Sequence, residues 1–311
     1  IRPPHQGNTP GGLMELYSDL LNSTDSTISP PLYQTAWDRF KSHPMGLSGL
    51  ILLLLLGLLT LIGPSLTHYR YDEIHLALKN QPPSTQFWFG TDDFGRDLFT
   101  RACYGARISF CVGLAAGFID LTLGVLWGSI AGLASRRIDE LLMRLLDIFY
   151  SIPTMLTAIL ISVVLGSGLF SIILAVNLIS WITMARIVRG QMLLLKEMEY
   201  VLAARSMGAG FSRILFKHLL PNIWGPILVT LAMTIPSAIF SEAFLSFLGL
   251  GVQAPMASWG TMAYDGLPAM QYYPWRLFFP SILISLTMLA FYLIGEGLKT
   301  AHFKTNAMNV P

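Results

Sequence analysis

The sequence predicts an all-α membrane protein with six transmembrane helices. Three observations predict it. Only 12% of the 311 residues are charged and 53% are hydrophobic, whereas a soluble domain carries about 25% charged residues. Six apolar segments approach or exceed the roughly 20 residues that a spanning helix needs. Lysine and arginine are also unevenly placed. With the amino terminus inside, fourteen of the twenty fall in inside segments and six in outside ones. That bias favours cytoplasmic placement of both termini.

In chain order, residues 1–44 form a polar cytoplasmic tail. No cleavable signal pattern is visible in it, and residues 1–31, rich in Pro, Ser and Thr, are expected to be poorly structured. Tyr33, Trp37 and Phe40 share one helical face, with Arg39 and Lys41 elsewhere on the turn. This predicts an amphipathic pre-membrane helix over about 33–43. The spans are expected at 45–66, 106–133, 148–166, 169–187, 223–248 and 277–298. The second and fifth exceed a bilayer's need and must tilt or protrude. The turn Gly166-Ser-Gly168 makes the third and fourth a hairpin. By region, 45–104 holds the first span and an extracytoplasmic segment, 105–298 a transmembrane core, and 299–311 a cytoplasmic tail.

Composition also excludes functions. A formal net charge of +2 with no basic tract argues against nucleic acid. The six histidines show no ligand spacing, so no metal site is expected. Cys103 and Cys111 lie on one helix and its approach, and both are read as structural rather than paired. No Gly-x-x-x-x-Gly-Lys-Ser/Thr loop is present, so a nucleotide is not expected to bind in the usual way.

Two polar segments interrupt the apolar pattern. One runs Glu199-Tyr-Val-Leu-Ala-Ala-Arg-Ser-Met-Gly208 and on to His218-Leu-Leu-Pro-Asn222. Small side chains at Ala203 and Ala204 permit close backbone approach, Gly208 suits the positive φ after a helix end, and Pro221 suits a helix start. An ordinary amphipathic connector is the plain alternative. The other segment is Gly90-Thr-Asp-Asp-Phe-Gly-Arg-Asp97. Thr91 or Asp92 can cap the helix that follows. Asp93–Arg96 and Asp97–Arg101 have the spacing of ion pairs along one helical face. Inside the spans, Asp120 must face the bundle interior or a wet cavity. Glu242 lies about 31 Å along a helix from Pro221, near the outer surface. Phe244 and Phe247 could form an outer gate or plain packing, and Trp259, Tyr264, Tyr272, Tyr273 and Trp275 fit an interfacial belt.

The 199–222 segment resembles the coupling loop of binding-protein-dependent ABC importer permeases. Leu202 stands where that loop usually has its Glu. Gly90–Asp97 with Gly105-Ala-Arg-Ile-Ser109 is similar to the C-type permeases of oligopeptide, dipeptide and nickel importers. Asp139-Glu-Leu-Leu-Met-Arg-Leu-Leu-Asp147 with Ser151-Ile-Pro153, Trp181 through Gln191, and Ser241 through Gln253 with Ser258-Trp-Gly260 resemble further parts of it. The resemblance covers roughly 33–304. It implies a type I ABC importer transmembrane domain in a bacterial inner membrane. It also implies a peptide permease, oligopeptide first, with dipeptide, nickel, glutathione or antimicrobial-peptide import as alternatives.

On this reading Glu199, Ala203, Ala204, Arg205, Gly208 and Pro221 couple to the ATPase. Gly90, Thr91, Asp92, Gly95, Arg96 and Asp97 form the extracytoplasmic signature, and Asp120, Glu242, Phe244 and Phe247 are pathway or gate candidates. Implied partners are a second permease subunit, two ATP-binding subunits holding ATP and Mg, an extracytoplasmic substrate-binding protein and the lipid bilayer. This chain itself is expected to be neither an enzyme nor a cofactor binder. Two other classes compete: an ion-coupled secondary transporter using Asp120, and an intramembrane hydrolase using Ser48 of Gly46-Leu-Ser-Gly49.

Overall fold

Pro44 opens the first long helix, and its missing N–H costs nothing at a helix's first turn. The His43 side chain caps that end by accepting from the Gly46 amide. In the computed structural model, backbone is described for residues 36–308 and side chains for 37–301. The expected disorder of 1–31, and Tyr33 of the pre-membrane helix, lie outside the described residues. Within them, α1 is Ala36–Ser42 and α2 is Pro44–Leu66. Then come α3 (Leu98–Leu133), α4 (Arg136–Tyr150), α5 (Thr154–Leu165) and α6 (Leu169–Leu195). The remainder is α7 (Glu199–Ser206), α8 (Phe211–Leu250), α9 (Trp259–Gly266) and α10 (Trp275–Met308). Short 3₁₀ turns add Leu76–Leu78 and Leu267–Ala269.

Five of these helices are long and apolar enough to cross a membrane, and the bent pair α4–α5, taken as one broken span, gives a sixth. The 23 residues of α2 give about 35 Å of helix, against roughly 30 Å of hydrocarbon. The 36 residues of α3 and 40 of α8 reach about 54 and 60 Å, so both must tilt or protrude.

Several expected boundaries move. The second span starts at Leu98, so Cys103 and Cys111 share α3, one buried and one exposed. The third span is broken: only Thr154–Leu165 continues as helix, bent by 72° from α4. Pro153 lacks an amide hydrogen and keeps Ile152 out of the helical region, which explains the break. Pro221 sits in the first turn of the regular α-helical stretch Leu220–Leu245, but that stretch is not where the fifth helix begins. That helix begins at Phe211 and passes through a wide π-helical stretch, Ile214–Leu219, just before Pro221. The tail placed at 299 continues α10 to Met308.

Small residues set the packing. Gly46 and Gly297 bring α2 and α10 together, with Phe40 of α1 sealing the crossing. Gly124, Gly128 and Gly132 repeat every four residues along α3. Side chains there would strike Met184, Val188 and Met192 of α6, a close approach of the kind membrane helices favour. The core lies along α3, α6 and α8: Val112, Ala116, Ile172, Ala238 and Leu245 toward one end, Met184, Met192, Leu219 and Ile223 toward the other. The connections 67–97 and 251–274 meet at the first end. The α3–α4 and α6–α8 connections meet at the second.

Candidate functional site

At the second end, α7 sits between the long helices α6 and α8. Its inner side carries Val201 and Ala204, both buried, with Val201 packed in a cluster with Met192, Ile214, Leu215 and Leu219. Its carboxyl end closes as a Schellman turn: the Gly208 amide donates to the Arg205 carbonyl, and the Ala209 amide to the Ala204 carbonyl, each at 3.0 Å. Gly208 has the positive φ, 80°, that this turn requires. A Cβ there would meet nothing within 4 Å, so the need for glycine is purely conformational. The Asn222 side chain donates to the His218 carbonyl at 2.6 Å and to the Tyr200 hydroxyl at 3.3 Å, tying α7 to the start of α8.

The outward side of α7 carries Glu199, Leu202, Ala203, Arg205 and Ser206, and Met207 follows it, 82% exposed. The two alanines therefore part company. Ala203 is exposed and free to meet a partner, whereas Ala204 is 4% exposed and committed to its own chain. Pro221 is exposed on α8.

Ion pairs hold α4 to the end of α6 that leads into α7. Arg189 grips Asp139 with two bonds, Nε to Oδ1 at 2.5 Å and Nη2 to Oδ2 at 2.7 Å. Arg186 donates to Asp147 at 2.8 Å, and Lys196 to the Gly132 carbonyl at 3.1 Å. Sequence reading quoted these stretches without pairing them. Two aspartates eight residues apart facing two arginines three apart was the available signal.

At the first end, residues 90–97 form a buried polar turn rather than the first turn of a helix. Thr91 donates to the Leu78 carbonyl and accepts from the Gln81 amide. Asp92 accepts from the Phe94 and Arg96 amides and from Arg96 Nε at 2.6 Å, and Arg101 Nε stands 3.6 Å away. Gly95 has φ 71°, and its missing Cβ leaves room for the His75 carbonyl.

The expected helical ion pairs are replaced. Asp92 takes Arg96, and Asp93 takes Arg276 at 3.2 Å. The helix cap is Asp97, which accepts from the Thr100 amide and hydroxyl at 2.8 and 2.6 Å, not Thr91 or Asp92. Burial pushes the Asp97 carboxyl above the usual carboxylate range, against the pull of those Thr100 bonds. The cause of the difference is that helical geometry starts only at Leu98.

Two carboxylates within the spans, Asp120 and Glu242, are enclosed by protein. Asp120 is 0% exposed and lies in a π-helical turn, Asp120–Gly124. It accepts from Thr234 at 2.7 Å and Ser180 at 3.3 Å, joining α3, α6 and α8. Glu242 is also 0% exposed. It accepts from Ser109 at 2.9 Å and Ser246 at 2.7 Å, and Ser258 contacts Ser246.

Trp259 is likewise no belt residue. It is 1% exposed and donates to the Ala102 carbonyl at 2.9 Å. Phe244 and Phe247 remain on the open side of α8, Phe247 edge-on to Tyr264. Ser48 is exposed and its hydroxyl bonds to the Met45 carbonyl of its own helix, an arrangement with no activating base.

Comparison with known proteins places this geometry. The family described as binding-protein-dependent transport system inner membrane component matches residues 124–304. The N-terminal transmembrane domain of oligopeptide transport permease C matches residues 31–83. The oligopeptide transport system permease protein OppC of Bacillus subtilis is 53% identical over 276 residues, covering 89% of this chain and 90% of that one. The dipeptide transport system permease protein DppC of the same organism is 48% identical over 304 residues, covering 96% and 95%. OppC of Escherichia coli is 40% identical over 87% of this chain and 90% of its own. Among solved structures, an inward-facing form of the MetNI methionine ABC transporter superposes with a TM-score of 0.54 at 18% identity, covering 65% of this chain and 96% of that chain. That likeness speaks to the fold alone. Matched over more than half its length by the family profile and nearly end to end by relatives at about half identity, the chain belongs to the family of binding-protein-dependent transport system inner membrane components.

Proposed function

We propose that this chain is a permease subunit of an ABC importer for peptides, oligopeptides first, embedded in a bacterial inner membrane with both termini cytoplasmic. The near-full-length similarity to OppC and DppC proteins supports the peptide class. One observation carries the coupling role: α7 is anchored inward by Val201 and Ala204 while presenting Leu202, Ala203 and Met207 outward. Among the described residues, all three are exposed. They suit a groove on a separate ATPase subunit, and Leu202 offers an apolar contact where relatives of this loop carry Glu.

The mechanism follows from the anchoring. Closure of two ATP-loaded ATPase subunits pushes on α7. The Schellman turn and the Asn222 bonds make α7 and the start of α8 one body, so the push reaches α8 without being lost in a soft loop. The Arg189–Asp139 and Arg186–Asp147 pairs carry α4 along with α6. A second permease subunit forms the other wall of the pathway, and the pair moves between two packings, each face open in turn. A substrate-binding protein delivers peptide to the end that carries 67–97 and 251–274. ATP and Mg stay on the partners.

Dipeptide import is the second reading, favoured by the longer match to DppC. Reconstituting the chain with its partner subunits in proteoliposomes and comparing uptake of labelled dipeptides and pentapeptides separates the two. Uptake that needs neither ATP nor an ATPase subunit would overturn both.

A further inference from the structure

A cavity of about 660 Å³ opens at the first end, between the 67–97 connection, the end of α8 with the segment after it, and α9. Four charged side chains line it: Asp72, Arg96, Arg101 and Asp265. Two are already paired, Arg96 with Asp92 at 2.6 Å and Asp72 with Arg70 at 3.2 Å. The other two have charge to spare. Arg101 is 3% exposed. Its Nη1 donates to the Tyr71 carbonyl at 3.1 Å, and its Nε lies 3.6 Å from Asp92, which Arg96 already holds more closely. Its Nη2 makes no hydrogen bond among the described residues. Asp265 is exposed, with its backbone carbonyl fixed by Arg276 at 3.0 Å. Its carboxylate joins no ion pair among the described residues. Arg101 and Asp265 therefore line one cavity without closing on each other.

A buried guanidinium with unused donors is costly until an anion meets it, and its fork matches a carboxylate in geometry as well as charge. Ile74, Phe94, Met256 and Tyr264 supply apolar wall around the two charges. Apolar walls with a few convergent polar groups, at this volume, are the make-up of a small-molecule pocket. A peptide carries a carboxylate at one end and an ammonium group at the other, whatever its side chains. We propose that this cavity is a peptide-end site, with the carboxylate of a short peptide on Arg101, its ammonium group on Asp265 and its side chains against the apolar wall. The inference rests on the peptide reading above and adds to it a holding point on the permease itself, one that reads main-chain ends rather than sequence. Tyr264 stands edge-on to Phe247, so the site adjoins the open side of α8.

The test uses the full chain assembled with its partner subunits in nanodiscs, without the substrate-binding protein, and equilibrium dialysis of radiolabelled alanyl-phenylalanyl-alanine. The free peptide is expected to bind, and its carboxyl-amidated and amino-acetylated forms each to bind about tenfold more weakly. Arg101→Gln should erase only the difference between free and amidated peptide. Asp265→Asn should erase only the difference between free and acetylated peptide. General misfolding cannot produce that crossed pattern. Should Arg101→Gln fail to fold, Asp265→Asn and the blocked peptides on the unaltered chain still carry the test. No binding, binding indifferent to both blocks, or binding seen only with the substrate-binding protein present would each overturn the site. ATP-driven peptide uptake by the same complex would then leave the import reading standing. Absence of uptake of any peptide would overturn that reading and this site with it.

Discussion

The two ends of the molecule are built on opposite terms. At the Asp92 end, Thr91, Asp92, Arg96, Asp97 and Arg101 are all buried, and nearly all their polar atoms find partners inside the chain. At the α7 end, only Val201 and Ala204 are buried among eight helical residues. The first end has an internal reason for most of its polar sequence. The second has polar and apolar side chains that its own fold does not use. A distinctive motif can therefore mean self-assembly at one end and an absent partner at the other. Burial, not distinctiveness, tells them apart.

Six substitutions at five positions probe that contrast, from the largest expected effect to the smallest. Asp92→Ala removes the acceptor for Arg96 and strands a buried guanidinium beside Arg101, which should cost about 3–5 kcal/mol. Thermal unfolding of the purified chain in detergent reads it, and a loss below about 1 kcal/mol would show that the end is not self-sufficient. Ala204→Trp overpacks the inner side of α7 at about 1–3 kcal/mol. Ala203→Trp should leave the melting temperature alone and instead reduce recovery of ATPase subunits on co-purification. Equal melting behaviour for the two would dissolve the inner–outer distinction.

Gly208→Val forces a β-branched residue to φ 80°, a strain of about 1–2 kcal/mol. The expected phenotype is ATP hydrolysis that persists while peptide uptake falls, with Gly208→Asn milder because Asn tolerates that region. Unchanged coupling in the Val variant would mean that the turn is not transmitting force. Asn222→Ala is the smallest, about 1 kcal/mol for the lost bonds. Faster amide exchange confined to 199–222 is its signature, and exchange spreading over α8 would count against a local role.

Much of the fold was legible because hydrophobic run length reports spanning helices directly. The Gly208 turn was legible too, since only local chemistry sets it. What escaped had distant causes. Helical rise sets how far along α8 Glu242 lies, but its bond to Ser109 crosses 133 residues of sequence. Trp259 reads as a belt residue until Ala102, 157 positions away, claims its indole N–H. The bend at Pro153 was visible in the sequence and was passed over because the apolar run continued through it. The Thr91 and Asp92 caps failed for a different reason: Gly95 bends the chain, so the helix that seemed to begin there starts at Leu98.

The wide turn at Asp120–Gly124 has a consequence for how this protein tolerates change in length. A π-helical turn holds one residue more than a regular spiral needs. Losing one residue between Leu121 and Gly124 would tighten the spiral and keep both halves of α3 in register with their neighbours. The same deletion elsewhere in α3 would swing one half by about 100° against the other and pull Gly128 and Gly132 away from Val188 and Met192. Helix α3 carries its own slack, stored at Asp120, a carboxylate that ties three helices together.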